Sequence, residues 1–297
     1  MEHNLDYLKL GASLYIPATH KNLIEIAEGR KYPNLQSFII DTEDAISEND
    51  LEFGLENIKV FLNSLNRNLE EKPMIFIRPR NPKVFKEIVT FKNIEKIDGF
   101  VFPKFTTKNM EEYMSVQYPN KYCMPLLEKD VFDTRELETL RTYLLDHREK
   151  VLSIRIGATD ILSSLNLRRS SHKTLYQIGV ISHVIATIVT IFKPYGFNIS
   201  APVIESFDTS LKDVFQDEVK LDLLNGLFGK TIIHPSHIDI IQEVYKVSRE
   251  EYEIAERLLD PETPAVFKMY SKMNEKATHT NWARTIIERA KIYGIKE

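Results

Sequence analysis

Residues 37–44 read SFIIDTED: the apolar Phe38, Ile39 and Ile40 are followed at once by Asp41, Glu43 and Asp44. A short run rich in β-branched and aromatic residues, with no polar alternation, is the mark of a strand buried on both faces, as in a parallel sheet. Three carboxylates so close together repel one another by several kcal/mol, as an order of magnitude, once partly desolvated. The fold must therefore bring a cation, an arginine or a proton to them. Within the run, Asp41 and Glu43 are two apart and are expected on one face, with Asp44 opening the loop.

Seven further runs have the same character: ASLYIPA (12–18), MIFIRPR (74–80), GFVFPK (99–104), YCMPLLE (122–128), VLSIRIG (151–157), NISAPVIE (198–205) and KTIIHP (230–235). Between them lie stretches with helical periodicity, among them FGLENIKVFLNSLN, TRELETLRTYLLDH and LYQIGVISHVIATIVTIF. Eight strands alternating with helices predict a parallel sheet closed as a TIM-type (β/α)8 barrel over residues 1–247. An open doubly wound sheet gives a similar pattern, but no glycine-rich phosphate loop or dinucleotide fingerprint follows any strand. From residue 248 to 297 the chain reads as a C-terminal helical extension, SREEYEIAERLL and then THTNWARTIIERAKIY, with DPETPAV between them.

In each strand the apolar residues come first and the ionisable ones last. The ends carry Asp41, Glu43 and Asp44; Arg78 and Arg80; Lys104; Glu128; Asp160 after the Gly157, Ala158, Thr159 turn; Glu205; and His234. A parallel barrel gathers these ends on one rim, where this architecture holds its active sites. Glu128 and Asp160, from neighbouring strands, are candidate oxygen ligands for Mg2+, which takes one or two carboxylates together with water and substrate oxygens. Arg78 offers a planar fork for a substrate carboxylate, with a salt bridge to Glu43 or Asp44 as its alternative. Lys104 reads as an ion-paired ammonium rather than a Schiff-base lysine. His234 and His237 flank a proline turn without a nearby cysteine and read as hydrogen-bonding residues rather than zinc ligands. LNLRRSSHK (165–173) is either an anion-binding loop or a solvated one.

The composition narrows the partners. With 43% hydrophobic residues the chain can bury a large core, and its formal charge of −4, with lysine and arginine spread along it, leaves no long basic face for nucleic acid or anionic membrane. The longest apolar run contains Ser182 and His183 and is too short to span a bilayer. Neither an export segment nor a membrane anchor is expected. The single cysteine, Cys123, forms no intrachain disulfide, fits a reducing cytoplasm, and reads as a small buried apolar residue. A small-molecule partner is expected.

Taken in order, these segments resemble the citrate lyase β-subunit-like (CitE-like) aldolases of the HpcH/HpaI superfamily. LYIPA is similar to the family's first strand (LFVPG), IIDTEDAI to its acidic stretch (DLEDAV), IRPRN to its arginine strand (VRVN) and FVFPKF to its LPK strand. LLE is similar to the strand-five glutamate, IGATDI to the GxxD turn, and GKTIIHPSHI to GKxxIHPxQ; VSREEYEIAERLL resembles the helix opening the C-terminal tail. Within the superfamily the chain resembles the C–C bond lyase branch associated with tellurium-resistance and stress gene clusters. The resemblance implies a cytoplasmic homo-oligomer, trimeric or hexameric, that catalyses Mg2+-dependent aldol or Claisen-type cleavage or condensation at a C–C bond, with Mn2+ as a substitute metal. It gives Glu128 and Asp160 the metal-ligand places, Arg78 the substrate carboxylate, and Glu43 and Asp44 the acidic pair beside the metal waters. Arg80, Gly157, Ala158 and Thr159 border the substrate, and Asp41 is a candidate partner of Lys104. The substrate implied is a small carboxylate or an acyl thioester, and LRRSSHK adds a CoA-linked or phosphorylated one to the expectation.

Three departures touch the pocket: Gly11 and Ala12 replace a basic residue, Arg80 stands where asparagine is usual, and Lys129 and Asp130 replace a threonine after Glu128. They point to a substrate other than citryl or malyl thioester. The general base stays open among Asp41, His234, a metal-bound water and a residue from a neighbouring subunit. Two alternatives stand beside the lyase: a non-catalytic barrel that binds an anionic metabolite as scaffold or sensor, and phosphotransfer of the phosphoenolpyruvate type.

Overall fold

The computed structural model describes residues 5–66 and 73–296. The chain alternates strand and helix as β1 (Ala12–Pro17), α1 (Leu23–Ala27), β2 (Ser37–Asp41), α2 (Leu51–Ser64), β3 (Met74–Arg78), α3 (Pro82–Ile88), β4 (Gly99–Phe102) and α4 (Met110–Met114). It continues as β5 (Tyr122–Leu127), α5 (Thr134–Leu145), β6 (Ile154–Ile156), α6 (Ala158–Ser164), α7 (Gly179–Phe192), β7 (Ile199–Ser200), α8 (Lys212–Leu224), β8 (Lys230–Ile232) and α9 (Ile238–Tyr245). All neighbouring strands are parallel, in the order β7-β6-β5-β4-β3-β2-β1-β8. A parallel bridge from Ala201 to Lys230 joins the two ends, so the sheet closes into the expected (β/α)8 barrel.

The two faces of the strands divide as a period of two requires. Leu14, Ile16, Phe38, Ile40, Ile75 and Ile77 are buried and alternate with Ser13, Tyr15, Ser37, Ile39, Phe76 and Arg78. Ser13 and Ser37 share a hydrogen bond of 2.8 Å near the strand N-termini, which satisfies two hydroxyls there. Gly99 is required by contact: a Cβ there would lie 1.9 Å from the Tyr122 carbonyl oxygen on β5. Outside β4, Phe85, Phe100, Phe102 and Tyr113 form a buried aromatic cluster, with ring centroids 4.5–4.9 Å apart in its closest pairs. Asn81 caps α3 through Val84 N at 3.0 Å, with Pro82 in the first turn where its missing N–H costs nothing.

The strands are shorter than the apolar runs, and three differences bear on the rim and the tail. β2 ends at Asp41, so Glu43 reaches the rim through a bend and not by strand alternation. Asp41 makes that bend: its carboxylate accepts from Glu43 N at 3.0 Å and Ala45 N at 3.1 Å, an Asx-type turn that ends the strand. β3 ends at Arg78, which leaves Arg80 in the following loop. In the tail, α10 (Arg249–Leu259) and α11 (Lys276–Tyr293) are the expected helices, but an antiparallel hairpin, β9 (Val266–Met269) and β10 (Lys272–Glu275), separates them. Tyr270 and Ser271 turn it with φ of 50° and 59°, a two-residue turn lacking the Asn-Gly or Asp-Gly pair that announces one in sequence. The two helices bury Ile254, Leu258, Ala283 and Ile286 against each other.

Behind β8 lies a fully buried ion network. Lys230 Nζ is 2.8 Å from Glu218 and 2.9 Å from Asp222 on α8. Arg169 pairs with Glu218, and Tyr176 donates to Asp222 at 2.7 Å. Arg169 therefore anchors its loop to the barrel and does not serve as an anion site; Arg168 is exposed. Burial pushes the Asp222 carboxyl up to about 6 against the pull of Lys230, while Lys230 and Arg169 overcome burial to hold Glu218 low. Lys230→Met strands buried carboxylates and should cost about 3–5 kcal/mol in urea unfolding at neutral pH. The loss should shrink as the pH is lowered and Asp222 takes up a proton. A loss below about 1 kcal/mol would contradict the network's role.

Candidate active site

The register of β2 and β3 sets Asp41 directly beside Arg78. Arg78 Nε donates to Asp41 Oδ1 at 2.7 Å and Nη2 to Oδ2 at 2.6 Å, a two-point pair that is almost wholly buried. With the two backbone amides of its turn, Asp41 has donors on both oxygens and serves as the anchor of Arg78. The partner expected for Asp41 was Lys104; Lys104 instead donates to Glu43, and at 3.4 Å to Asp44. The swap follows from the register, which places Arg78 and not Lys104 beside Asp41. Glu43 Oε2 also lies 2.8 Å from Arg78 Nη1, outside hydrogen-bond geometry, so Glu43 is held between the two cations.

Burial works against charge on Arg78, but Asp41 outweighs it and keeps the guanidinium firmly protonated. Burial likewise opposes charge on Lys104, where the Glu43 hydrogen bond prevails and raises the ammonium above its ordinary value. A lysine so held is an ion-paired ammonium and not a free amine nucleophile. Its backbone is left-handed (φ 47°), and its N–H donates to Glu128 Oε1 at 2.8 Å. Burial is also the largest effect on Glu43, whose carboxyl stays above its ordinary value despite Arg78 and Lys104.

Glu128, just past β5, is 3% exposed. Burial first, then the charges of Asp160 and Glu43, push its carboxyl up to about 8, against the Lys104 amide and Arg78. Asp160 stands in the first turn of α6, 3.1 Å from Lys129 Nζ. Gly157 admits Glu128 to this position: a Cβ there would lie 2.2 Å from Glu128 Oε2. Around these groups opens a cavity of about 400 Å3, lined by Asp41, Asp44, Arg78, Glu128, Gly157, Ala158, Thr159 and Asp160, and also by Tyr15 and Thr231.

Most of the predicted residues thus converge. Glu43 lies behind the wall, bracing Arg78 and Lys104. Arg80, expected at the substrate, does not line the cavity; it donates to the carbonyls of Thr42, Glu43 and Ile46 at 2.7–3.1 Å and staples the acidic loop. His234 also lies off the cavity, stacked on Phe207 at 5.1 Å with Nδ1 2.8 Å from Ser236 Oγ. Tyr15, Thr231 and the buried Arg155 behind them escaped the sequence reading, which looked at strand ends. An arginine in the middle of an apolar strand was the available signal.

The donor set fits a hard divalent cation. Among the described residues no group of three His, Cys, Asp or Glu side chains gathers as a closed metal cage. Glu128 and Asp160 repel each other across the cavity wall, and a cation would relieve the strain that raises Glu128. Two carboxylates with room for water and substrate oxygens match what Mg2+ takes.

The comparisons agree with this architecture. A family model described as a C–C bond lyase of the TIM-barrel fold matches residues 4–295. A (3S)-malyl-CoA thioesterase of Cereibacter sphaeroides is 20% identical over 244 residues, 82% of this chain and 80% of that protein. The structure resembles CitE from Mycobacterium tuberculosis in complex with magnesium, acetoacetate and coenzyme A: TM-score 0.65, 17% identity, 95% of this chain and 98% of that one. It also resembles RipC from Yersinia pestis, with TM-score 0.58, 16% identity, and 80% and 96% of the two chains covered. With a family model matching nearly its whole length, and its acidic rim on the barrel the sequence implied, the chain belongs to the C–C bond lyase family of the TIM-barrel fold and is a carbon–carbon lyase.

Proposed function

We propose that the protein is a Mg2+-dependent lyase that cleaves or forms a C–C bond, aldol or Claisen in type, in a small carboxylate or its thioester. The observation that carries this reading is Glu128: a buried carboxylate, forced toward its protonated form, facing Asp160 on the wall of a cavity that Arg78 also lines. Support comes from relatives whose structures were solved with magnesium and acetoacetate, oxaloacetate or pyruvate.

Glu128 and Asp160 would hold the metal; when bound, it would polarise a substrate oxygen and stabilise the enolate-like charge left by bond breaking. Arg78 is already fixed by Asp41 and braced by Glu43, so it costs little further ordering when it meets a substrate carboxylate. Its side-on grip on Asp41 leaves N–H groups on Nη1 and Nη2 for that contact. Lys104, kept as an ammonium, holds Glu43 and Asp44 in place and adds positive potential beside the developing charge. Thr159, on the cavity wall, donates to Glu205 at 3.2 Å. Arg80 acts on the substrate only through the loop it staples.

Glu128→Gln or Asp160→Asn should abolish Mg2+ binding in calorimetry, and with it turnover, while circular dichroism stays native. Unchanged Mg2+ binding in both variants would contradict the assignment.

With burial pushing the Glu128 carboxyl up to about 8, Mg2+ should have to displace its proton at neutral pH. The apparent affinity should rise about tenfold per pH unit up to about 8 and level off above it. Titrations in buffers of different ionisation enthalpy should count close to one proton released per ion at pH 7; a flat pH profile would argue against Glu128 as ligand. A raised carboxylate also costs stability in the metal-free protein as pH climbs from its unfolded value toward 8. Metal-free Glu128→Gln should therefore melt above the wild type at about pH 8.5 and match it near pH 4.5.

A further inference from the structure

Arg155 sits in β6, 1% exposed, behind the wall of the cavity. Among the described residues Nη2 donates to Thr231 Oγ1 at 2.5 Å, Nη1 meets only the Met124 thioether at 3.6 Å, and Nε has no partner. Its guanidinium carbon lies 5.6 Å from the centre of the Tyr15 ring, against which Arg78 also rests, at 4.9 Å. The contrast with the other deeply buried cations is sharp: Arg78 is neutralised by Asp41 and Glu43, and Lys230 by Glu218 and Asp222. Among the described residues, Arg155 has no carboxylate within 4.0 Å.

A buried charge without a counter-charge is costly, and a thioether and a ring face compensate it only in part. Such a group is tolerable where a ligand brings the missing negative charge. Arg155 itself does not reach the cavity, but Thr231 and Tyr15 do. A threonine hydroxyl has a single proton, and by accepting from Arg155 the Thr231 oxygen leaves that proton to be donated elsewhere. Its donor strength grows because the hydrogen bond it accepts is charge-assisted.

We propose that Arg155 is a positioning residue that turns Thr231 Oγ–H into a hydrogen-bond donor for a second anionic oxygen of the substrate, on the β8 wall of the cavity. This rests on the lyase reading, and it narrows the substrate class to short acids with two anionic ends. Arg78 and the metal-ligand pair take one end, and the Thr231–Arg155 relay takes the other.

The test is calorimetric titration of oxaloacetate and pyruvate, which share the 2-oxo acid head group, into wild type, Arg155→Met, Arg155→Lys and Thr231→Val with saturating Mg2+. Wild type should prefer oxaloacetate. Arg155→Met and Thr231→Val should each lose about tenfold or more in oxaloacetate affinity, the scale of one charge-assisted hydrogen bond, with pyruvate changed by less than about twofold. Arg155→Lys, which keeps the charge, should recover part of the loss. A wild type without the preference, variants that keep oxaloacetate affinity, or equal losses for both acids would each overturn the proposal, the last by showing a merely structural role. Thr231→Val carries the test if Arg155→Met fails to fold. Titrating Mg2+ alone into wild type, and repeating the acid titrations without Mg2+, separates the two readings: absence of Mg2+ binding sinks the metal-dependent lyase, whereas the oxaloacetate preference and its loss in the variants judge Arg155 on their own.

Discussion

Everything at the rim depends on how five carboxylates are kept on one edge of a closed sheet. Among the described residues, Asp41, Glu43, Asp44, Glu128 and Asp160 face only Arg78, Lys104 and Lys129 as ion-pair partners there. The Asp41–Arg78 pair is the fixed point. It is set by strand register, sealed from water, and joined to the turn that ends β2, so the acidic loop and the arginine cannot move independently. Glu43 then spans Arg78 and Lys104, and the Lys104 amide reaches Glu128. Four strands are coupled through one chain of hydrogen bonds and ion pairs, and among the described residues the charge without an ion-pair partner falls on Glu128.

That imbalance separates structure from chemistry. A site built only for stability would pair Glu128 with a cation, as Lys230 pairs Glu218 and Asp222 behind β8. Glu128 instead receives one backbone N–H and the repulsion of two other carboxylates. The barrel tolerates the cost locally, and Gly157 is the backbone concession that admits it. Arg155 is the same kind of departure with opposite sign. Among the described residues Glu128 has no ion-pair partner and Arg155 no counter-charge, an electrostatic arrangement that suits a cation and an anion bound together.

The barrel was legible because parallel strands are buried on both faces, so each leaves an apolar run that a helix must follow. The rim was legible because ionisable residues end those runs. The pairings were less so. Asp41 chose Arg78 over Lys104 because of cross-strand register, and Arg80 folded back on carbonyls because β3 stops at Arg78; neither stop nor register is written in the runs themselves. The tail hairpin was missed because Tyr270 and Ser271 turn it without a glycine or asparagine. Arg155 was missed because it stands mid-strand, where charge was not sought.

The most direct test of the central claim is a crystal structure grown with Mg2+ and oxaloacetate. The account predicts an ion bound by Glu128 and Asp160 and shared with the acid, whose carboxylate meets Arg78. An ion held elsewhere, or the acid bound with Glu128 and Asp160 free of metal, would contradict it.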